Sequence, residues 1–313
     1  IAKIGKNKPG YAPSREMVWG RDGFHWAESR FGMSGVPTKK IATVRGYSLE
    51  GTPNHRIWTP SGWRRLDSLR KGDFVAIQKN QQVFGSGLQV PPINPKYYKK
   101  DFDLAMDGDL AYLMGLFLAE GYEDGNRITI TCGDEEILRF LERRFGFIRG
   151  RRDQTRLTDL RLIKFMSWFG FGKGKLAKEK EVPAKFHQLK KEEQRAFLQG
   201  YFDGDGCIDK RGRISCTSSS KNLIDELKIV LLNFGTPFAY SCVTSPPTKK
   251  VRVKSIGHRL MLDNPYFCDL FFKNVGFRLK RKLSRRSLIN YRGIQTDLCP
   301  FDWEEFKGGR EIK

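Results

Sequence analysis

The stretch Leu113-Met-Gly-Leu-Phe-Leu-Ala-Glu-Gly121 decides how this chain folds, because a second copy follows it as Leu198-Gln-Gly-Tyr-Phe-Asp-Gly-Asp-Gly206. Each copy is an apolar helix-type run that ends in an acidic residue and a glycine. A polar turn, a short β-type run and an amphipathic run then follow in the same order both times. Chance explains two such copies poorly, so the sequence predicts two related halves, each built of a helix, strands and a second helix.

Each copy also carries small residues four positions apart, at Gly115, Ala119, Gly200 and Gly204. Residues with this spacing share one face of a helix, and small side chains on that face let two helices approach until their backbones nearly touch. The acid stands at the last helical position, before a glycine that suits a helix C-terminus. Packing the two helices side by side is therefore predicted to bring Glu120 and Asp205 together at one end.

Two carboxylates in this position repel each other, and they also face the negative ends of two helix dipoles. A hard divalent cation relieves this repulsion, and oxygen ligands suit Mg²⁺. Metal ions held by paired carboxylates activate water and stabilise the leaving oxygen in phosphodiester cleavage. The sequence therefore predicts a metal site and catalytic acids at Glu120 and Asp205, with a pair of solvated helix-end carboxylates as the structural alternative.

The overall charge points to a polyanionic partner. The 313 residues contain 57 Lys and Arg against 35 Asp and Glu, a formal net charge of +22. Such an excess is typical of proteins that bind nucleic acid or an anionic membrane surface. No apolar run reaches the roughly 18–20 residues that span a bilayer, and the N-terminus lacks the apolar core of a secretory signal. We therefore expect a nucleic-acid-binding protein of a cytoplasmic compartment (a prokaryote, a phage-infected cell or an organelle interior), with no membrane partner.

Both copies resemble the signature helices of the LAGLIDADG homing endonucleases, over about residues 104–290. The first copy departs at Leu118, where the motif has Asp, and at Glu120, which replaces the catalytic Asp; the family tolerates both. Members with two motifs in one chain are pseudo-symmetric α+β monomers in which antiparallel sheets form a saddle along the DNA major groove. The resemblance implies a site-specific endonuclease that hydrolyses both strands of a long double-stranded DNA target across the minor groove.

The resemblance also assigns residues around the two acids. The backbone carbonyls of Ala119 and Gly204 would join the carboxylates as metal ligands, with Mg²⁺ or Mn²⁺ supporting cleavage and Ca²⁺ substituting without it. Lys180-Glu-Val-Pro183 resembles the K-x-I-P element in which intein endonucleases carry an active-site Lys. Gly276-Phe-Arg-Leu-Lys-Arg-Lys282 resembles the matching element of the other half, with Lys280 at that position. We expect both lysines to stabilise charge on the phosphate or to polarise water, with phosphate contact alone or plain surface exposure as the alternative.

Basic side chains concentrate after each copy of the motif, on the runs predicted as strands and on their turns. Long side chains on alternate strand positions can reach base edges in the major groove, while others contact phosphate. The predicted DNA-binding residues are Arg127, Arg151, Arg152, Arg156, Arg161, Lys210, Arg211, Arg213, Lys249, Lys250, Arg252 and Lys254. The sequence does not separate the base readers among them from the phosphate contacts.

The N-terminal quarter of the chain reads differently, as short strands broken by turns, with residues 41–49 as one strand. Residues 79–103 have the composition of a linker. Val44-Arg-Gly-Tyr-Ser-Leu-Glu-Gly-Thr-Pro-Asn-His-Arg-Ile57 resembles the T-x-x-H block of protein-splicing (Hint) domains, with Thr52 and His55 at the motif positions. Splicing also needs a Cys or Ser first and His-Asn last, whereas this sequence has Ile1 and Lys313. Either the termini were trimmed or this unit is a splicing-inactive relic, and we expect a relic that adds DNA contacts.

These patterns give a domain plan and a leading function. We predict a small all-β, Hint-like domain over residues 1–95, an endonuclease domain over 96–291 with repeats at 104–190 and 191–291, and an extension over 292–313. The leading function is a homing endonuclease of a mobile genetic element that acts as a monomer on double-stranded DNA. Three alternatives stay open: an RNA-binding intron maturase, an intein protein-splicing element, and a DNA-binding repressor that does not cut.

Overall fold

The computed structural model describes residues 10–19, 24–32, 35–90, 104–150, 153–171, 177–246 and 255–289. The chain divides into two compact units, one formed by residues 1–78 with 299–313 and the other by residues 79–298. Several predictions lie outside the described residues: those for Arg151, Arg152, Lys249, Lys250, Arg252, Lys254 and the extension 292–313. Within the described part of the chain, no helix is both long and apolar enough to cross a membrane.

The described strands of the first unit form antiparallel hairpins. The pairs are β1 (Gly10–Trp19) with β2 (Phe24–Gly32), β3 (Lys39–Ala42) with β4 (Ser48–Gly51), and β5 (Arg56–Thr59) with β6 (Gly62–Arg65). Residues 41–49, which read as one strand, form a turn and parts of two strands instead. Gly46 takes a positive φ of 77°, and Thr43 N–H donates to Tyr47 O at 2.8 Å, so the chain reverses there.

The second unit repeats one order of elements twice. The first repeat consists of α1 (Gly108–Glu120), β7 (Gly121–Glu123), β8 (Ile128–Thr131), α2 (Glu135–Phe145), β9 (Ile148–Arg149), β10 (Gln154–Leu157) and α3 (Leu160–Phe169). The second repeat consists of α4 (Lys191–Gly204), β11 (Gly206–Ile208), β12 (Ile214–Ser218), α5 (Lys221–Asn233), β13 (Ala239–Ser245), β14 (Ser255–Leu262) and α6 (Pro265–Asn274). A short helix, α7 (Lys280–Leu283), follows.

Each repeat forms one four-stranded antiparallel sheet. The strand order is β7-β8-β10-β9 in the first repeat and β11-β12-β14-β13 in the second. If the strands are numbered within each repeat, the two orders are the same. The predicted α+β fold with antiparallel sheets is confirmed, and the shared strand order supports two copies of one structural unit.

Helices α1 and α4 pack closely against each other. α1 is apolar around its circumference, and every residue in Leu110–Ala119 is buried. Gly115 lies against the backbone of α4, since a Cβ on it would be 1.9 Å from the Phe197 carbonyl oxygen. A Cβ on Gly200 would likewise be 2.1 Å from the Tyr112 carbonyl oxygen. The predicted close approach of two helix backbones at small residues is confirmed.

One hydrophobic core runs through both repeats and contains the buried faces of α1 to α6. Aromatic rings fill it beside α4. The ring centroid of Phe202 lies 4.9 Å from that of Phe271 and 5.8 Å from that of Phe238. Burial of each such side chain contributes about 1.5–3 kcal/mol. The shared core therefore fixes the two repeats relative to each other, and with them the ends of α1 and α4.

Residues 79–90, which have the composition of a linker, belong to the second unit and pack against its other residues. Val83 N–H donates to Asn233 Oδ1 at 2.9 Å, and Asn233 Nδ2 donates to Val83 O at 2.8 Å. The ring of Phe84 lies 5.1 Å from that of Phe234 and packs against the core. The expectation of a linker is wrong for these residues, because specific backbone and ring contacts hold them in place.

Candidate active site

The C-terminal ends of α1 and α4 meet, which brings the two predicted catalytic acids together. Glu120 is the last residue of α1, and Asp205 is the C-cap residue of α4. A Cβ added to Gly204 would lie 2.6 Å from the Ala119 Cβ and 3.3 Å from the Glu120 Cγ. Because Gly204 has no side chain, the two helix ends can approach closely at this point.

The electrostatics of this site are unfavourable for two bare carboxylates. Burial, and then the negative charge of Glu120, raise the pKa of Asp205 to about 7. The ammonium groups of Lys180 and Lys282 act in the opposite direction without cancelling that rise. The ionised form of Asp205 is therefore poorly stabilised by the protein alone, and a divalent cation next to both acids would stabilise it.

Lys180 reaches the end of α1. Its Nζ donates to the Ala119 backbone oxygen at 2.6 Å. Burial lowers the pKa of Lys180, while the charges of Asp205 and Glu120 oppose that change. The structure thus places this predicted lysine beside both acids. Because a carbonyl oxygen has two lone pairs, the bond from Lys180 leaves Ala119 able to accept a second partner.

A second lysine reaches the end of α4, but it is Lys282 and not the predicted Lys280. Lys282 is 5% exposed. Its Nζ donates to three backbone oxygens, those of Phe202, Asp203 and Gly206, at 2.7, 2.8 and 2.6 Å. Burial lowers the pKa of Lys282 to about 8. A lysine ammonium group thus lies at each of the two helix ends, half-buried at α1 and buried at α4.

Lys280 lies at the exposed start of α7, where its backbone N–H donates to Glu136 Oε2 at 3.1 Å. Lys282, and not Lys280, is therefore the lysine of this segment whose side chain reaches the end of α4. The reason is helix geometry: Leu279 is buried, and residues three apart share a helix face, so Lys282 follows Leu279 inward. The family resemblance located the segment, but only this spacing shows which basic residue turns toward the site.

Asp203 is a site residue that the sequence reasoning missed. It is 2% exposed, and its Oδ2 accepts the Tyr112 hydroxyl at 2.8 Å. The same oxygen accepts the backbone N–H groups of Arg278 at 2.9 Å and Leu279 at 3.2 Å. Burial raises the pKa of this carboxyl group. Asp203 therefore holds the start of the segment that carries Lys282. The sequence signal that could have identified Asp203 is the difference between the two copies of the motif, because the first copy has Leu118 at the equivalent position.

The donor atoms at the helix ends fit a divalent cation that the substrate completes. Glu120 and Asp205 supply carboxylate oxygens, and the backbone carbonyls of Ala119 and Gly204 precede them. Among the described residues, no group of three or more His, Cys, Asp and Glu side chains could hold a metal ion. Mg²⁺ is commonly bound by one or two carboxylates together with water and substrate phosphates. Two carboxylates together with a substrate phosphate fit that pattern. A site in which protein side chains supply every metal ligand does not.

Arg156 lies on the outer face of the first sheet. Its register partners across β8 and β9 are Thr129 and Ile148, and Thr129 in turn pairs with Tyr122 on β7. Tyr122 is 44% exposed and Ile148 is 71% exposed. Because side chains alternate between sheet faces, these register partners lie on one face with Arg156. That face carries an exposed tyrosine and an exposed isoleucine beside the half-buried Arg156, while Thr129 in the same row is fully buried.

Arg259 occupies the corresponding face of the second sheet and was missed from the sequence. It pairs with Thr217 on β12 and Ser241 on β13, and its Nε donates to Thr217 Oγ1 at 3.4 Å. The signal that could have found it is alternation, since Leu260 and Leu262 are fully buried and Arg259 must point the other way.

The other predicted DNA-binding residues within the described ranges differ in placement. Three are exposed in the turns that precede β8 and β12: Arg127, Lys210 and Arg211. Arg213 pairs with Asp209, with 2.7 Å between Nη2 and Oδ2. Arg161 lies in α3 and pairs with Asp159, and only 13% of its side chain is exposed.

The T-x-x-H motif forms the turn between β4 and β5 in the first unit. His55 N–H donates to Thr52 O at 2.9 Å, and Leu66 N–H donates to His55 O at 2.7 Å. Thr52 is half-buried, whereas His55 is exposed. The two motif residues thus lie next to each other within one hydrogen-bonded turn.

Several known proteins are similar to this chain. It is 25% identical over 292 residues to the replication factor C small subunit of Methanocaldococcus jannaschii, which covers 86% of this chain and 14% of that protein. It is 29% identical over 281 residues to the DNA-directed RNA polymerase subunit Rpo1C of the same organism, with coverages of 78% and 31%. It is 32% identical over 343 residues to the probable translation initiation factor IF-2 of that organism, with coverages of 84% and 28%. The chain spans less than a third of the length of each of these relatives.

A family model matches part of the second repeat. Residues 192–238 match the model described as LAGLIDADG-like domain. The matched segment includes most of α4, all of β11, β12 and α5, and the acid Asp205. This match supports the LAGLIDADG family for the repeat that carries one of the two paired acids.

Proposed function

We propose that this chain is a site-specific DNA endonuclease of the homing type, which hydrolyses both strands of a long double-stranded target with a divalent cation. The observation that carries the proposal is the meeting of α1 and α4. Each repeat contributes one acid, Glu120 or Asp205, and a lysine ammonium group reaches each helix end. Paired oxygen ligands flanked by cations suit a phosphodiester better than they suit a neutral substrate.

The residues of the site divide the work of phosphodiester cleavage. Glu120 and Asp205 would hold Mg²⁺, which when bound supplies activation of water and stabilisation of the leaving oxygen. Lys180 and Lys282 add positive charge that stabilises the phosphate as its charge increases in the transition state. Because Lys282 is buried and Lys180 is half-buried, water screens their charge less than it would at the surface. These lysine roles replace the sequence-based pair of Lys180 and Lys280.

The two sheets supply the surface for the DNA. Each sheet turns one strand face outward, with Arg156 on the first and Arg259 on the second. Antiparallel strands in a major groove can place alternate side chains against base edges. The net charge of +22 favours binding of the phosphate backbone by release of counterions. One sheet for each repeat would let a single chain contact the two halves of a long site, consistent with a monomer.

The relatives favour a second role, as an intein-type mobile insert. They bear unrelated names, a replication factor subunit, an RNA polymerase subunit and a translation factor, and the similarity occupies a minority of each. The 86% of this chain matched in the first of them is more than residues 79–298 alone could supply, so that similarity extends into the first unit. A segment shared by otherwise different proteins, with a T-x-x-H turn and an endonuclease-like unit, is what an intein with a homing function would give.

Cleavage of a plasmid library with Mg²⁺ tests the nuclease directly. We expect double-strand breaks at one long site, lost in both Glu120→Gln and Asp205→Asn. Glu192→Gln, an exposed acid at the other end of α4, is the matched control and should cut normally. Tight binding of the wild-type protein to DNA without any metal-dependent cutting would refute the enzyme and favour a repressor. Specific binding and splicing of an intron RNA would instead favour a maturase.

Splicing is tested separately. Two flanking protein tags placed around the chain would be joined if the first unit is active, and Thr52→Ala with His55→Ala should abolish the joining. DNA cleavage without joining of the tags would identify the first unit as a relic.

A further inference from the structure

The two segments that carry the active-site lysines cross from one repeat to the other. Residues 180–182 follow the first repeat in sequence but bind the N-terminal end of α5 in the second repeat. Residues 278–282 follow the second repeat but bind α1 and α2 in the first. Each lysine is thus presented by a segment that the opposite repeat holds.

The first segment is held at three points. Ser220 Oγ donates to the Lys180 backbone oxygen at 2.6 Å, and Glu226 Oε2 accepts the Val182 N–H at 2.7 Å. The third point is the Lys180 ammonium group itself, which donates to the Ala119 oxygen at 2.6 Å. Ser220 is fully buried and also caps α5, so its position is set by that helix. The main chain of Lys180 is therefore fixed from α5, while its side chain ends at α1.

The second segment is likewise held from the first repeat, although by different groups. The Arg278 guanidinium donates to Asp109 Oδ1 at 2.7 Å and lies 4.3 Å from the ring centroid of Tyr112. Arg281 Nε donates to Asp134 Oδ2 at 2.6 Å, and Asp134 is the N-cap residue of α2. The N-terminal ends of α2 and α5, which correspond in the two repeats, thus hold the two lysine-bearing segments.

We propose that Ser220 and Glu226 are positioning residues for Lys180, and that Arg278 has the same role for Lys282. The catalytic consequence of this inference rests on the proposed nuclease function, whereas the contacts that hold the two lysine-bearing segments do not depend on it. A lysine side chain has many rotamers, and a group that must stabilise charge in a transition state acts only from a fixed place. Anchoring the backbone from the opposite repeat limits those rotamers and makes each half of the site depend on the folded partner repeat.

Competitive acetylation of lysines, read by mass spectrometry on the full chain without DNA, tests the positioning. Glu226→Ala should raise the acetylation rate of Lys180 by about tenfold, the change expected when one hydrogen bond to a charged group is lost, and leave Lys282 unchanged. Glu226→Gln keeps an acceptor oxygen and should restore the wild-type rate. Asp225→Ala, which removes the neighbouring acid of α5, is the matched control. Arg278→Ala should give the reverse pattern, with Lys282 exposed and Lys180 protected.

Single-turnover cleavage with each DNA strand labelled separately gives the functional readout. Glu226→Ala should slow one strand about tenfold more than the other, with DNA affinity unchanged, and Arg278→Ala should slow the opposite strand. Unchanged acetylation of Lys180 in Glu226→Ala would overturn the proposal, as would equal labelling of both lysines, since that indicates general loosening. If acetylation changes as expected while the wild-type protein cuts no DNA, the nuclease function fails and the positioning stands.

Discussion

Replacement of Gly115 by alanine tests the packing on which the whole site depends. The added Cβ would lie 1.9 Å from the Phe197 carbonyl oxygen and 2.8 Å from the Tyr201 backbone nitrogen. Both neighbours are backbone atoms in a buried helix, so no side chain can move aside, and α1 and α4 would have to separate by about an ångström in a close-packed core. Overpacking of this kind typically costs 1–3 kcal/mol. Because the clash is with backbone atoms, we expect Gly115→Ala to lower the free energy of unfolding by about 3 kcal/mol, well above the gain of about 1 kcal/mol in helix propensity.

Gly108→Ala in the same helix is the matched control. Its added Cβ would meet the Arg278 side chain at 3.4 Å and Ala196 at 3.9 Å, both ordinary contacts, so the free energy of unfolding should change by less than about 1 kcal/mol. Urea unfolding of the two variants, followed by far-ultraviolet circular dichroism, measures the difference through the transition midpoint. If Gly115→Ala unfolds at the same urea concentration as the wild-type protein, the reasoning from close backbone contact is refuted.

Three further predictions concern the charged groups. Because the pKa of Asp205 is raised to about 7, its carboxyl group must lose a proton to bind metal, so the affinity for Mg²⁺ should fall by up to about tenfold per pH unit below 7. Calorimetry in two buffers should show that a proton is released when Mg²⁺ binds, and Mg²⁺ binding that does not depend on pH would contradict this prediction. Without metal, the same raised pKa should make the protein more stable as the pH falls from 7 toward 4, because the folded state binds the proton more tightly than the unfolded state does. Thermal unfolding against pH measures this change, and a protein that becomes less stable as the pH falls over that interval would contradict the prediction. Lys282→Met leaves three backbone oxygens without their donor, so it should lower the free energy of unfolding by about 1–3 kcal/mol and also abolish cleavage. Lys280→Met should change stability and cleavage little, and equal effects in the two variants would favour Lys280 as the active-site lysine.

The sequence predicts the core of this fold because the relevant signals are local. Gly115 and Gly200 share their helix faces with small residues four positions away, and that spacing alone forecasts a close helix pair with Glu120 and Asp205 at its end. The repeat also explains why the two sheets share one strand order, since one unit that occurs twice folds in the same way twice. Features that depend on local patterns of this kind can be predicted from the sequence.

The parts that sequence reasoning missed depend on contacts between distant segments. Lys282 is inward because Leu279 is buried against the core, and the role of Asp203 depends on backbone N–H groups about 75 residues away in the chain. Residues 79–90 read as a linker because Gly, Pro and Gln suit turns and loops. The partners that hold them, such as Asn233, lie far along the sequence. No pattern within these short segments encodes such partners.

The two lysines are held by different means, which bears on how such a site can evolve. In the second repeat Asp203 holds the start of the Lys282 segment, whereas the corresponding residue of the first repeat, Leu118, is 3% exposed in the apolar core and offers no acceptor. The first repeat instead relies on Ser220 and Glu226 for the Lys180 segment. A symmetric dimer must use the same contact in both halves, because one sequence supplies both. Once two repeats share one chain, each half of the site can change independently, and the replacement of Asp by Leu118 at one of two equivalent positions is the kind of change that this freedom permits.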